Sequence, residues 1–251
     1  MSGAPHSKTD LVSLDWRGPV AVVTLTGSTS RNSLDRVTKN ALLETLKQAS
    51  ETVACRAIVL MGGGDTFSVG GDEADVLSLE IFQILTVGRR PVVAVVSGLA
   101  AAAGMSLAVA CDYVVATEAT VFDCALGPGG QLPQGAVYWT LGRRIGAGRA
   151  RHALLTGRHF TGGEALAIGL ANELADPSEL LDKAVAAAMR YAQMPPLALA
   201  WLKAAMATGS DTLDQAIETE TNVQPLLRFS EDHNEAVAAF LQKRAPNFVG
   251  R

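Results

Sequence analysis

The longest apolar stretch of the chain runs over residues 91–111, is interrupted by Ser97, Gly98, Gly104 and Ser106, and leads straight into Asp112. By length alone it suits a membrane span. The small and polar interruptions and the abutting carboxylate suit a buried strand, a glycine turn and a buried small-residue helix better. Such a segment needs a large core around it. The 251 residues, 48% hydrophobic and 18% charged, can build one, and the same balance excludes a disordered chain.

Composition narrows the partners. A net charge of −4 without a dominant basic face argues against nucleic acid. Cys55, Cys111 and Cys124 are odd in number and lie among apolar or small neighbours, which reads as reduced core thiols of a cytoplasmic protein. No CxxC or HxxxH spacing supports a metal site. The first ten residues, MSGAPHSKTD, have no apolar run and read as a leader.

Along the chain, residues 11–16 and 20–26 flank Arg17 and Gly18 as a hairpin. Asn32 or Ser33 is expected to cap a helix carrying Leu34, Val37, Ala41, Leu42 and Leu46. Short buried strands follow at 57–61, 92–97 and 113–116, with a small-residue helix over about 102–110. Strands alternating with helices across glycine-rich joints predict an α/β layered core. From Gly135 onward amphipathic helices dominate, predicted at 135–145, 149–156, 178–193, 196–207, 211–226 and 231–243. The expected division is a core over 1–195 and a helical oligomerisation region over 196–251, continuous with it.

Two glycine-bearing segments stand out as chemistry. Residues 66–73 (TFSVGGDE) follow the strand ending near Met61, and residues 97–107 (SGLAAAAGMSL) follow the strand at 92–97. Each is expected to leave unpaired backbone N–H groups where a helix begins. Such groups attract developing negative charge, and two converging on one point form an oxyanion hole. The alternative is that these small residues only let strands and helices approach closely.

The chain from Val20 to Arg251 resembles the enoyl-CoA hydratase/isomerase (crotonase) family. The resemblance is carried by RNSL at 31–34, FSVGGD at 67–72, PVVAVVSG at 91–98 and AAGMSLAVACD at 102–112. Phe122, GQLP at 130–133, LTG at 155–157, residues 165–172 and FLQKRAPNF at 240–248 continue it in order. It implies a spiral of ββα turns with a C-terminal helical trimerisation region, giving a homotrimer or a hexamer. It implies an acyl-CoA thioester as substrate, no cofactor beyond the coenzyme A that the substrate carries, and no membrane partner. The family's oxyanion amides fall on Gly71 and Ala103. Arg31, Asn32, Leu34, Ser68, Gly70 and Asp72 would line the coenzyme A channel, and Lys243 matches a lysine that reaches the nucleotide phosphates.

One departure bears on the reaction. Hydratases of the family hold a water between two glutamates, and their positions fall on Ser106 and Leu126. Leucine transfers no proton, and serine has too high a pKa to act unaided at neutral pH. The resemblance therefore implies an acyl-CoA-processing enzyme in which classical hydration is doubtful. The alternatives are an inactive acyl-CoA-binding pseudoenzyme or a different reaction (isomerisation, decarboxylation or hydrolysis). Asp123 and Glu73 are the candidate proton-transfer residues, with Gln131, Gln134 and Tyr138 nearby. His152, His159 and His233 read as structural.

Overall fold

The computed structural model describes residues 11–27, 31–71, 78–124, 132–208 and 212–251. The hairpin is as expected: β1 (Val12–Arg17) pairs antiparallel with β2 (Val20–Leu25), and Gly18 turns at φ 59°. The first helix starts later than the sequence reading placed it. It is α1 (Arg36–Glu51), capped by Asp35, whose Oδ1 accepts from Thr38 N–H at 2.8 Å. Asn32 cannot cap, because its side-chain amide is turned inward to donate to Gly63 O at 2.9 Å and Thr66 O at 2.6 Å.

Two sheets then share the chain between them. After β3 (Ala57–Gly62) and α2 (Leu79–Val87), β4 (Val92–Val96) lies in one sheet and β5 (Leu99–Ala101) in the other. The next helix is α3 (Ala103–Ala110), and β6 (Tyr113–Ala116) and β7 (Val121–Asp123) repeat the same alternation. The sequence reading had no helix between residues 74 and 90. α2 forms there because Ser78 caps it and Ile81, Phe82 and Leu85 enter the core.

Beyond lie α4 (Val137–Ile145), α5 (Ala147–Thr156), β8 (His159–Thr161), α6 (Gly162–Ile168) and β9 (Glu173–Leu174). The larger sheet has the order β1-β2-β3-β4-β6-β9 and is parallel from β2 onward; the smaller has the order β5-β7-β8. The chain thus winds strand, strand, helix, with each turn stacked on the last.

The central strands β2, β3, β4 and β6 of the larger sheet are buried on both faces, as their apolar runs require. On one side Val20, Val22, Ala57, Val59, Val93, Val95 and Val115 meet Leu180, Ala184, Ala187 and Ala188 of α7 (Leu180–Ala192). On the other, Ala21, Val23, Ile58, Leu60, Ala94 and Val96 join the core of α1, α2 and α3. The chain ends in α8 (Pro196–Thr208), α9 (Leu213–Arg228) and α10 (Glu231–Gln242). α8 is fastened to the core by Lys203, whose Nζ lies 2.5 Å from Asp112 Oδ2 and 3.0 Å from Arg90 O. Among the described residues, no helix is long and apolar enough to cross a membrane, and no group of acidic, histidine or cysteine side chains is arranged to hold a metal ion.

Candidate functional site

The site arises from the stacking of successive turns. Ser68 bridges to Ala100 in parallel register, and Ala100 pairs with Phe122, so fully buried residues of three turns stand in one row. Gly71 follows three residues after Ser68, and Ala103 three residues after Ala100, where the second segment leaves the strand and opens α3. The bridge is made by Ser68 N–H donating to Leu99 O at 3.1 Å and Ala101 N–H donating to Ser68 O at 3.0 Å. A Cβ built on Gly70 would lie 3.1 Å from Ala103 N, which measures how closely the two segments meet.

Among the described residues, neither the Gly71 nor the Ala103 N–H donates to a protein acceptor. Ala103 opens α3, where the first helical turn leaves its amides without intrahelical partners. Backbone donors of this kind can stabilise an anionic oxygen without any side chain.

Residues 31–34 hold the first donor segment in place. Leu34 N–H donates to Gly70 O at 2.7 Å, Val69 N–H to Arg31 O at 3.3 Å, and Ser68 Oγ to Asn32 O at 2.7 Å. Ser68 Oγ in turn accepts from Gly70 N–H at 3.1 Å. Gly70 has φ 81°, and a Cβ on Gly71 would lie 2.1 Å from Leu34 O, so the GG pair is demanded by backbone conformation and by space. Arg31 and Asn32 are both left-handed, at φ 55° and 56°. Asn32 is buried, and its Oδ1 is without a hydrogen-bond partner. The structure therefore brings Arg31, Asn32, Leu34, Ser68, Gly70, Gly71 and Ala103 into one network. Asp72, Glu73, Leu126 and Gln131 lie outside the described residues.

The remaining predicted residues are placed differently. Ser106 is 1% exposed and donates from Oγ to Gln134 O at 2.7 Å, with Ala102 O at 3.3 Å as a second acceptor. Its hydroxyl hydrogen tethers the loop before α4. Asp123 stands beside Ala101 in the β5–β7 register, and its Oδ1 lies 3.1 Å from His159 Nε2 on the facing strand. Histidine 159, read from sequence as structural, is thus the direct partner of a candidate acid–base residue. Lys243 is not part of the network; it ends α10 as a left-handed cap at φ 54°.

Two features escaped the sequence reading. One is the Ser106–Gln134 tether, which joins positions 28 apart. The other is Ala102, the residue before the second donor, at φ 47° and ψ −123°. That conformation belongs to glycine in a type II′ turn and costs an alanine about 1–3 kcal/mol. The thiols offer no alternative chemistry: burial, followed by the neighbouring Asp112 and Asp123 charges respectively, pushes Cys111 and Cys124 up to about 12.

Residues 16–251 match the family model described as enoyl-CoA hydratase/isomerase. The chain belongs to that family. Its 1,2-epoxyphenylacetyl-CoA isomerase from Escherichia coli (strain K12) is 31% identical over 250 residues, spanning 92% of this chain and 95% of that protein. The 2,3-dehydroadipyl-CoA hydratase of the same organism is 30% identical over 244 residues, spanning 92% and 96%. The enoyl-CoA hydratase of Bacillus anthracis superposes with a TM-score of 0.88 at 26% identity, covering 96% of this chain and all of that one. The two-sheet spiral is accordingly the crotonase fold.

Proposed function

We propose that the protein binds an acyl-CoA thioester with its carbonyl oxygen between the N–H groups of Gly71 and Ala103, and stabilises the enolate formed from it. The observation that supports this reading is the close approach of the two segments, a Cβ built on Gly70 lying 3.1 Å from Ala103 N, while the N–H groups of Gly71 and Ala103 donate to no acceptor among the described residues. The named relatives support the substrate class, since each carries a CoA thioester in its name.

In this reading a base takes the proton from the carbon beside the carbonyl, and the electron pair moves onto the carbonyl oxygen. The two N–H groups hold that charge; each such donor is worth about 3–4 kcal/mol in comparable sites. In a thioester with a C3–C4 double bond the enolate is conjugated, and return of the proton at C4 moves the double bond to C2–C3, completing an isomerisation. Asp123, oriented by His159, and Glu73 are the carboxylates for the transfer. Arg31, Gly70 and Asp72 would line the coenzyme A channel, with the buried Asn32, Leu34 and Ser68 holding its wall in shape and Lys243 at the nucleotide phosphates. The reading calls for no cofactor beyond the coenzyme A of the substrate.

Hydration is disfavoured by Ser106, whose hydroxyl hydrogen is committed to Gln134 O. The same commitment favours, as a second reading, a protein that binds acyl-CoA without turnover.

The helices after residue 196 complete a trimer, or a hexamer built from two trimers. A groove of about 710 Å³ between α8 and α9, lined by Trp201, Leu202, Ala205, Met206, Val223 and Leu227, would take a second copy of the chain.

The test is incubation with a panel of acyl-CoAs in D₂O, followed by mass spectrometry. Enolate formation adds one deuterium per exchanged hydrogen, and hydration adds a water. Exchange without water uptake is the expected result. Rapid water uptake would overturn the isomerase reading, and binding without either change would establish the pseudoenzyme.

A further inference from the structure

The geometry points to Ala102 as a specificity-determining residue that disfavours thioesters branched at the carbon beside the carbonyl, an inference that rests on the oxyanion site proposed above. Three observations on one residue carry it. Its backbone, at φ 47° and ψ −123°, is one that glycine adopts freely and alanine does not. Ala102 is also exposed, unlike every residue of the helix it precedes, so its methyl gains little from burial. Finally, a Cβ built on Gly70 would sit 2.8 Å from the Ala102 Cβ and 3.1 Å from Ala103 N. The methyl therefore stands against Gly70, the residue before one proposed donor, and beside Ala103 N, the other.

Nothing in the folding of the chain calls for this methyl. A glycine at 102 would keep the turn, the Ala103 N–H and the Ala102 O acceptor that receives Ser106 N–H, while releasing the strain. A strained, exposed side chain beside the proposed donors is accounted for by what it excludes. When a carbonyl oxygen is held by Gly71 and Ala103, the adjacent acyl carbon comes within van der Waals reach of the methyl. A straight chain leaves that carbon slim; a 2-methyl branch adds bulk where the Ala102 methyl already stands. Steric rejection of one methyl group is typically worth about tenfold or more in affinity.

The experiment is isothermal titration of the wild-type protein and Ala102→Gly with butyryl-CoA and 2-methylbutyryl-CoA, beside thermal melts of both proteins. Wild type is expected to bind the unbranched thioester about tenfold more tightly. Ala102→Gly is expected to bring the two affinities within about threefold of each other and to melt about 2–4 °C higher. An unchanged preference in Ala102→Gly, with butyryl-CoA still bound, would overturn the role of the methyl and leave the oxyanion site standing. A lower melting temperature would assign the methyl to folding and also overturn it. If neither protein binds butyryl-CoA, the oxyanion site itself fails, and this inference with it.

Discussion

Every residue of α3 is buried, whereas no residue of α9 is. Both helices are long enough to cover a core, and both carry apolar side chains. α3 is made of small residues, AGMSLAVA, and fits between the larger sheet, α2 and α4 without leaving a polar face. α9 turns Leu213, Ile217 and Leu226 outward at 75%, 52% and 61% exposure, and Phe229 just beyond it is 88% exposed. A surface helix normally lays its apolar stripe on its own core. With the apolar groove that α9 forms with α8, these side chains make the region a candidate interaction face. In the proposed reading, both donors, Gly71 and Ala103, come from one chain. In the same reading, the helices from residue 196 onward meet a second copy of the chain.

The sharpest way to break the first half of that comparison is Gly104→Ala. A Cβ there would lie 2.5 Å from Ser68 O, wedging α3 away from the first donor segment. We expect a loss of about 3 kcal/mol in chemical denaturation, with acyl-CoA binding lost alongside. Tolerance of the alanine would show that the two segments are not held in tight register.

The joint between the regions is tested by Lys203→Met, which leaves Asp112 without its cation. Breaking a buried pair costs about 3–5 kcal/mol; because the Asp112 side chain keeps 27% of its surface exposed, we expect about 2–3 kcal/mol. The α/β core should retain its strand signal while α8 loosens, a distinction amide hydrogen exchange can read.

Met206→Glu probes the second half. It places a charge in the α8–α9 groove, on a residue now 72% exposed. Little change in intrinsic stability and about 100-fold weaker self-association are expected, because an unpaired charge would have to be buried. Sedimentation should move toward a 26 kDa species. A wild-type protein that already sediments as a monomer would contradict the reading of this region.

The smallest effect is expected of Ser106→Ala. Losing the hydrogen bond to the Gln134 carbonyl costs about 1 kcal/mol, or about 2–4 °C in a thermal melt. Enolate exchange should persist, since the donors are backbone. Loss of exchange with the fold intact would make Ser106 a participant rather than a tether.

Much of this was legible in the residues. The parallel strands announce themselves as short apolar runs, and the paired glycines at 70 and 71 mark a backbone that must pass close to another. What stayed hidden depends on contacts far apart in sequence. Asn32 has the composition of a helix cap, yet carbonyls 31 and 34 residues away claim its amide, and Asp35 caps instead. The strands β5, β7 and β8 are three residues each, too short to show a period of two, and only their pairing defines them. The Asp123–His159 pair follows from the register of β7 on β8, which neither strand encodes alone. Ala102 reads as a helix former, and its glycine-like backbone is imposed by the turn that opens α3.

The central claim is that backbone amides at Gly71 and Ala103 polarise a thioester carbonyl. Isotope-edited infrared difference spectroscopy tests it directly, using butyryl-CoA carrying ¹³C at the carbonyl and protein in excess. Two hydrogen bonds to the oxygen lengthen the C=O bond, so the account predicts a band at lower frequency than in free butyryl-CoA. The shift should survive in Ser106→Ala, whose donors are unchanged. A saturated complex whose carbonyl band stays at the solution frequency would contradict the account.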